Sequence, residues 1–506
     1  MFYQFSWLLL PALMLVLLLY VLRKRKAEQD AETGDRSSDS AADKSPFFIR
    51  PIVQIGNRPS LLAHEAVDIH WHSEARDPSW SLCFRVSGET EWRSASITSG
   101  ATIKLQNIQE NTRFSATLDE LVPGKSFEYE IFFKEKHVFA SSAMARKGRG
   151  QNQRMVIVGD LTEGSNGARK VAYQISRSKP DMLVLAGDLA YRKGLFSEYL
   201  ERFFPVYNAE SASQNVGAPL LASCITLTEP GNHDVGMPSD SDIPDFDRNP
   251  DLMAHYIFWS LPLNGPVNRT SQKHVAPFAG TAHRLRDFLR AAGARSPRIG
   301  NCSLDAGDCH LLILDSNVYV DWTDEQLVAW VEADLNGANK LGVRWKLVSF
   351  HHAAFTAHWK HSDEQRMRLL APVFERHGVH VVFSGHNHTY ERSYPLRFEI
   401  KAQADGKLVA ANGHVDGTFA LDRAFNGKEI TRANGVLYIV TGGGGARQKL
   451  MSENPDAKAS LALPEFTVTM VDNIHSFTCL DVEYERLVFR QISEDGVELD
   501  TFVLTQ

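Results

Sequence analysis

The stretch Met182-Leu183-Val184-Leu185-Ala186-Gly187-Asp188-Leu189-Ala190-Tyr191 runs from an unbroken apolar segment into a carboxylate and a phenol. An apolar run of this length suits a strand covered on both faces, as in a parallel or mixed sheet. Gly187 lets the backbone turn beside Asp188 without a side chain crowding what the carboxylate meets. Motifs of the same plan lie on either side. Gly159-Asp160 ends Met155-Val156-Ile157-Val158, and Gly231-Asn232-His233-Asp234 follows Pro230. His351-His352 follows Trp345-Lys346-Leu347-Val348, and Gly385-His386-Asn387-His388 ends Val379-His380-Val381-Val382-Phe383. In open α/β sheets ligands gather beyond the carboxyl ends of strands, and every one of these motifs falls at such an end.

Each motif has a plain alternative when taken alone. Asp160 could cap a helix, Asn232-His233-Asp234 could form a turn, and Tyr191 could pack in a loop. His386 and His388, two apart on an extended segment, point the same way. Jointly the motifs supply donors for two cations. Asp160, Asp188, Tyr191 and His388 make a hard, largely anionic set suited to a trivalent ion. Free tyrosine ionises near pH ~10, so a tyrosinate at neutral pH calls for a strong Lewis acid such as ferric iron. Asp188 can bridge to a second ion completed by Asn232, His351 and His386, neutral donors that suit divalent zinc, manganese or iron. Two cations about 3.5–4 Å apart form a clamp suited to in-line displacement at phosphorus. The tetraglycine Gly442 to Gly445 lacks the Lys-Ser/Thr of a phosphate loop and reads as a tight turn near the site.

The chain has 506 residues, 43% hydrophobic and 23% charged, which describes a globular protein of two or three domains. A formal charge of -7 gives no basic excess and excludes nucleic acid as a bulk ligand. Residues 1–22 carry no charged side chain, are long enough to span a bilayer, and precede Arg23-Lys24-Arg25-Lys26. That order fits an uncleaved single-pass transmembrane anchor rather than a signal peptide. The positive-inside rule places the remainder on the cytoplasmic side. Residues 23–47 read as a flexible linker.

Residues 48–148 alternate polar and apolar side chains between turn signals, as in Phe127-Glu128-Tyr129-Glu130-Ile131, and predict a small β-sandwich. Residues 152–506 predict an α/β domain, whose alternating tail (Phe477 to Val482, Leu487 to Arg490) adds antiparallel strands at one edge. Cys302 and Cys309 either close a small loop or stay as free buried thiols. Asn268-Arg269-Thr270 and Asn301-Cys302-Ser303 match the glycosylation sequon. Oligomeric state and natural substrate are not encoded in any motif.

On these residues the chain resembles the purple acid phosphatases of the calcineurin-like metallophosphoesterase superfamily, across residues 48–506. Gly187-Asp188-Leu189-Ala190-Tyr191 is similar to the family's tyrosinate motif, and Gly385-His386-Asn387-His388-Thr389-Tyr390-Glu391-Arg392 to its last motif. The front domain is similar to that of the plant-type members. The resemblance implies a metallophosphoesterase β-sandwich flanked by helices, preceded by an all-β fibronectin type III-like domain. It implies ferric iron on Asp160, Asp188, Tyr191 and His388, with a divalent zinc, manganese or iron on Asp188, Asn232, His351 and His386. It further implies an acid phosphatase that hydrolyses small phosphate monoesters by attack of a metal-bound hydroxide. His233 would assist the leaving alcohol, and His352, His358 and His361 would be further substrate contacts. Such enzymes are exported, which conflicts with the basic cluster after residue 22 and leaves the membrane side open. The chain departs from the family at Thr162, where glycine is usual, and at Ala353-Ala354-Phe355, where a proline is often found. A phosphodiesterase of the same fold is the nearest alternative, and a non-catalytic adhesion protein the one from another class.

Overall fold

The computed structural model describes residues 45–74, 77–266, 274–295, 298–454 and 463–506. The expected anchor at 1–22, nearly all of the expected linker and the sequon at Asn268 lie outside the described residues. Among the described residues no helix is long and apolar enough to cross a membrane.

Alternating burial, seen in Trp80–Val86 and Ser126–Phe133, gives strands with one face in a core and one in solvent. They build a β-rich N-terminal domain of two four-stranded antiparallel sheets. One orders Ile49–Gln54, Glu65–Ser73, Asn111–Leu121 and Ile97–Ile103; the other orders Arg93–Ala95, Trp80–Val86, Ser126–Phe133 and Lys136–Met144. Between them Trp80 meets Trp71 at 5.5 Å and Phe114 at 5.8 Å, centroid to centroid. Large aromatics at such spacing supply much of a small sandwich's burial.

Arg146 leads out of this domain and is fully buried. Its Nε and Nη2 donate to Glu65 Oε2 and Oε1 at 2.9 and 3.0 Å, and its Nη1 donates to the Asp305 carbonyl at 2.9 Å. The buried charges of Arg146 and Glu65 are thus paired, the condition under which a buried ion pair is tolerable.

Beyond Gln153 the apolar runs lose their alternation because both faces are covered. One six-stranded sheet orders Ile225–Thr228, Met182–Leu185, Gln153–Val158, Ser476–Val482, Arg486–Ser493 and Glu498–Thr505. Its first three strands are parallel, and the last three extend it antiparallel, as the tail's alternation predicts. A seven-stranded sheet orders Cys302–Ala306, Cys309–Leu314, Trp345–Phe350, Val381–Ser384, Leu437–Thr441, Tyr390–Ser393 and Thr467–Val471. Met155, Ile157 and Val184 of one sheet meet Leu311, Ile313, Leu347 and Phe383 of the other. On the outer face of the second sheet Leu312, Val348 and Val382 pack with Leu327, Val331 and Leu335 of helix Glu325–Lys340. Those helical positions repeat every four residues, and Asp324 caps the helix by accepting from the backbone N–H groups of Gln326 and Leu327 at 2.8 and 3.3 Å.

Cys302 and Cys309 are free and buried. They sit at opposite ends of a hairpin, opposite Ile313 and Ala306 respectively, so no small loop is closed between them. Asn301 is buried and its Oδ1 accepts the Asp315 N–H at 2.9 Å, so this sequon presents no exposed amide.

Candidate metal centre

Parallel pairing sets the strand ends level: Leu185 lies opposite Val158 on one side and Thr228 on the other, and Ser349 lies opposite Phe383. The loops leaving these ends are tied to one another. Asp160 N–H donates to the Gly187 carbonyl at 3.0 Å, His386 N–H to Asp160 Oδ2 at 2.7 Å, and His233 N–H to Asp188 Oδ1 at 2.9 Å. Asp160, Asp188 and His386 have φ of 59°, 54° and 69°. The left-handed region costs a non-glycine residue roughly 1–2 kcal/mol, and such backbone tends to cluster at functional sites. Glycine is required where loops touch: a Cβ on Gly187 would lie 2.5 Å from His351 Nδ1, and one on Gly442 2.1 Å from the Asn387 carbonyl. The tetraglycine is therefore a turn packed directly against the site.

Two donor sets result. In one, the Tyr191 hydroxyl donates to Asp160 Oδ1 at 2.9 Å and lies 3.1 Å from His388 Nε2, which is 3.4 Å from Asp160 Oδ1. In the other, donor atoms of Asp188, His351 and His386 all lie within 4.8 Å of one another. Asp188 Oδ2 is 3.2 Å from His351 Nε2, and Asp188 also interacts with the Tyr191 phenol, so it touches both sets. Asn232 Nδ2 donates to the Met237 carbonyl at 3.2 Å, while its buried Oδ1 has no partner among the described residues. A buried acceptor without a partner is uncommon; a cation beside Asp188 would satisfy it. The Nδ1–H groups of His351 and His388 donate to the carbonyls of Ala186 at 2.8 Å and Arg447 at 2.6 Å, which leaves Nε2 of each as the ligating nitrogen. The residues present fit two cations that share Asp188.

The protein environment sharpens the contrast between the sets. Burial, then the charges of Asp160 and Asp188, push the Tyr191 phenol far above its ordinary range. Only a strong Lewis acid could ionise it there. Burial opposes ionisation of Asp188, but His351 and His233 more than offset this and hold its carboxyl below the usual range. Burial and the neighbouring His361 bring the His386 imidazole down to about 4, so it is neutral and able to coordinate.

The structure separates the four histidines expected to act on substrate. His233 Nδ1–H donates to the Arg192 carbonyl, and Nε2 stands 3.8 Å from Asp188 Oδ2 at the mouth of the centre. His361 lines the same cleft, with its Nδ1–H donating to Glu364 Oε1 at 2.7 Å. His358 does not face the cleft. Its Nε2–H donates to the Lys449 carbonyl at 2.9 Å and its Nδ1 accepts from Lys360 N at 3.4 Å, so backbone takes both nitrogens. His352 lies behind His386 with ring centroids 4.3 Å apart, and its Nδ1 accepts from Ser316 Oγ at 2.9 Å. Of the three further substrate contacts expected, only His361 is among the residues that line the cleft.

Two residues that carry this arrangement were not among the expected ones. Glu364 Oε2 accepts from His386 Nε2–H at 2.7 Å, leaving His386 Nδ1 for a cation. Asp234 accepts from the N–H groups of Gly231 and Leu189 at 3.0 and 3.1 Å and so clips two motif loops together. The sole signal for Glu364 is its place three residues after His361. Thr162, the departure noted above, uses its hydroxyl to donate to the Leu189 carbonyl at 2.6 Å, a backbone role.

The sequence pattern of the calcineurin-like phosphoesterases matches residues 153–390. Purple acid phosphatase 15 of Arabidopsis thaliana is 21% identical over 318 residues, 60% of this chain and 47% of the relative. The Fe(3+)-Zn(2+) purple acid phosphatase 12 of the same plant is 27% identical over 122 residues, 24% of this chain and 25% of the relative. The matches thus span about half the length of the first relative and a quarter of the second. Among solved structures, the purple acid phosphatase PPD1 from yellow lupin (Lupinus luteus) seeds superposes with a TM-score of 0.59 at 16% identity, covering 90% of this chain and 74% of that one. That likeness carries the fold, including the β-rich domain in front. Residues 153–390 thus carry a calcineurin-like phosphoesterase domain, and the chain is similar in sequence to the purple acid phosphatases.

Proposed function

We propose that the protein is a binuclear metal-dependent acid phosphatase acting on small phosphate monoesters. The observation that carries this reading is the pair of donor sets meeting at Asp188, with His233 at the mouth of the same cleft. Asp160, Asp188, Tyr191 and His388 would hold ferric iron; Asp188, Asn232, His351 and His386 would hold zinc, manganese or iron, and the Fe(3+)-Zn(2+) name of one relative supports that division. Such a pair, when bound, supplies Lewis-acid polarisation of the phosphoryl oxygens and a more acidic water.

The chain's own groups do the rest. The Arg192 carbonyl fixes the His233 ring with its proton on Nδ1, so that Nε2 exchanges protons in the cleft. From there it can protonate a departing alkoxide, a contribution typically worth about 10²–10⁴-fold. His361, held by Glu364, presents its free edge to the cleft and can contact phosphoryl oxygens. The apolar segment 1–22 would tether this domain to a membrane; recovery of full-length protein in the membrane fraction, lost on removal of those residues, tests this.

Hydrolysis of 4-nitrophenyl phosphate compared with bis(4-nitrophenyl) phosphate tests the reaction class. Preference for the monoester is expected. Preference for the diester would reassign the protein as a phosphodiesterase.

A further inference from the structure

The cleft holds ≈ 670 Å³ and is lined by more than the metal donors and His233. That is far more room than one phosphoryl group needs, and falls within the usual range for small-molecule sites. On its wall stand Lys360 and Lys449, close enough for the charge of one to act on the other. Two like charges in contact repel unless an anion sits between them. Among the described residues no carboxylate lies within ion-pair distance of either lysine, although the charges of Glu364 and Asp160 act on Lys360 from farther off. The acidic groups that line the cleft or act on Lys360 have closer partners of their own, and Asp160 bonds Tyr191 and the His386 N–H. Glu163 pairs with Arg192, Asp240 with Arg366 at 3.1 Å, and Glu364 with His361 and His386.

The pair is also built, not a chance meeting of loose chains. His358 Nε2–H holds the Lys449 carbonyl, and its Nδ1 accepts the Lys360 N–H. Trp359 Nε1–H donates to the Leu450 carbonyl at 3.2 Å. Two distant segments are thereby locked together so that both lysines line one cleft. Burial first, and then the Lys449 charge, bring the Lys360 amine down to about 8. An anion placed between the two would relieve both effects.

We propose that Lys360 and Lys449 seat a second phosphate of the substrate, so that the preferred ester is a small molecule bearing two phosphates. This rests on the phosphomonoesterase reading above and adds the substrate class to it. Lysine is a common phosphate ligand, acting as a mobile point charge, and the paired arrangement matches the double charge of a phosphate monoester.

The test uses fructose 1,6-bisphosphate and fructose 6-phosphate, which differ by one phosphate. The metal-loaded protein is compared with Lys360→Gln/Lys449→Gln and with Lys360→Arg/Lys449→Arg, and kcat/KM is measured for both sugars. The expected result is a preference for the bisphosphate of about tenfold or more, consistent with charged hydrogen bonds. The glutamine variant should lose that preference, chiefly through KM, and the arginine variant should keep most of it. A wild-type ratio near one, or a ratio unchanged in the glutamine variant, overturns the proposal. Calorimetric binding of the same two sugars gives an answer without turnover. If 4-nitrophenyl phosphate is not hydrolysed, the phosphatase reading fails, yet tighter binding of the bisphosphate that vanishes in the glutamine variant would still uphold the seat.

Discussion

Glu364 joins two histidines: His386 Nε2 lies 2.7 Å from one of its oxygens and His361 Nδ1 2.7 Å from the other. One carboxylate therefore sets the tautomer of a candidate ligand and the orientation of a cleft-facing imidazole. Outer partners of this kind typically change metal affinity about 10–100-fold when removed. Glu364→Ala is expected to lose the second cation at chelator concentrations that leave the wild type loaded. Metal analysis after stepwise dialysis reads this, and unchanged retention would mean that Glu364 only packs.

His233→Ala tests the proton path. The His233 backbone N–H donates to Asp188 Oδ1 while the ring Nε2 stands 3.8 Å from Oδ2, and the backbone bond survives the substitution. Metal content should therefore hold while kcat falls about 10²–10⁴-fold. A variant with full turnover would remove His233 from the mechanism. A non-catalytic adhesion protein would show no metal-dependent turnover to lose.

Tyr191 is held as a neutral phenol by its protein neighbours, so its ionisation reports the Lewis acid directly. The iron-loaded, oxidised protein is expected to show a visible phenolate-to-iron charge-transfer band, absent in Tyr191→Phe. Absence of the band in the wild type under those conditions would assign the first donor set to a different metal.

At the seam between the domains, Arg146→Met would leave Glu65 buried without its partner. Breaking one side of such a pair costs about 3–5 kcal/mol. The midpoint of urea unfolding should fall accordingly, and Arg146→Met/Glu65→Leu should recover part of the loss. Equal midpoints for wild type and the single variant would show the seam to be dispensable.

A pH dependence of stability follows from His310. Its Nδ1 lies 2.9 Å from Asp305 Oδ1 and its Nε2 2.8 Å from Asp334 Oδ2. Burial works against its charge, but the two carboxylates prevail and bring the imidazole from 6.5 up to about 9. A raised folded-state value means that the stabilisation is fully present below pH 6.5 and lost as pH rises through 9. At 1.36 kcal/mol per unit this is on the order of 3 kcal/mol. Thermal unfolding followed from pH 6 to 10 should show the decline, and His310→Gln should flatten it.

The sequence made much of this legible because strand-end motifs carry their own geometry. A buried parallel strand followed by Gly-Asp fixes both where the carboxylate lies and why nothing larger precedes it, so Asp160 and Asp188 could be read with their surroundings. His386 and His388 declared themselves by a spacing of two. Residues that act through long-range contacts were not legible. His358 and His361 look alike in sequence, and only the distant Lys449 carbonyl draws one of them inward. Glu364 gives no local sign that it meets His386, and Lys360 and Lys449 become a pair only when segments 89 residues apart are folded together. The buried Cys302 and Cys309 show the converse, since closeness in sequence became opposite ends of a hairpin.

The central claim is a paired cation centre that turnover requires. Elemental analysis and 4-nitrophenyl phosphate hydrolysis, followed together through a chelator titration and reloading, test it most directly. The account predicts two cations per chain in fully active protein, with activity falling as either is withdrawn and returning on reloading. Full activity with one cation or none per chain would contradict it.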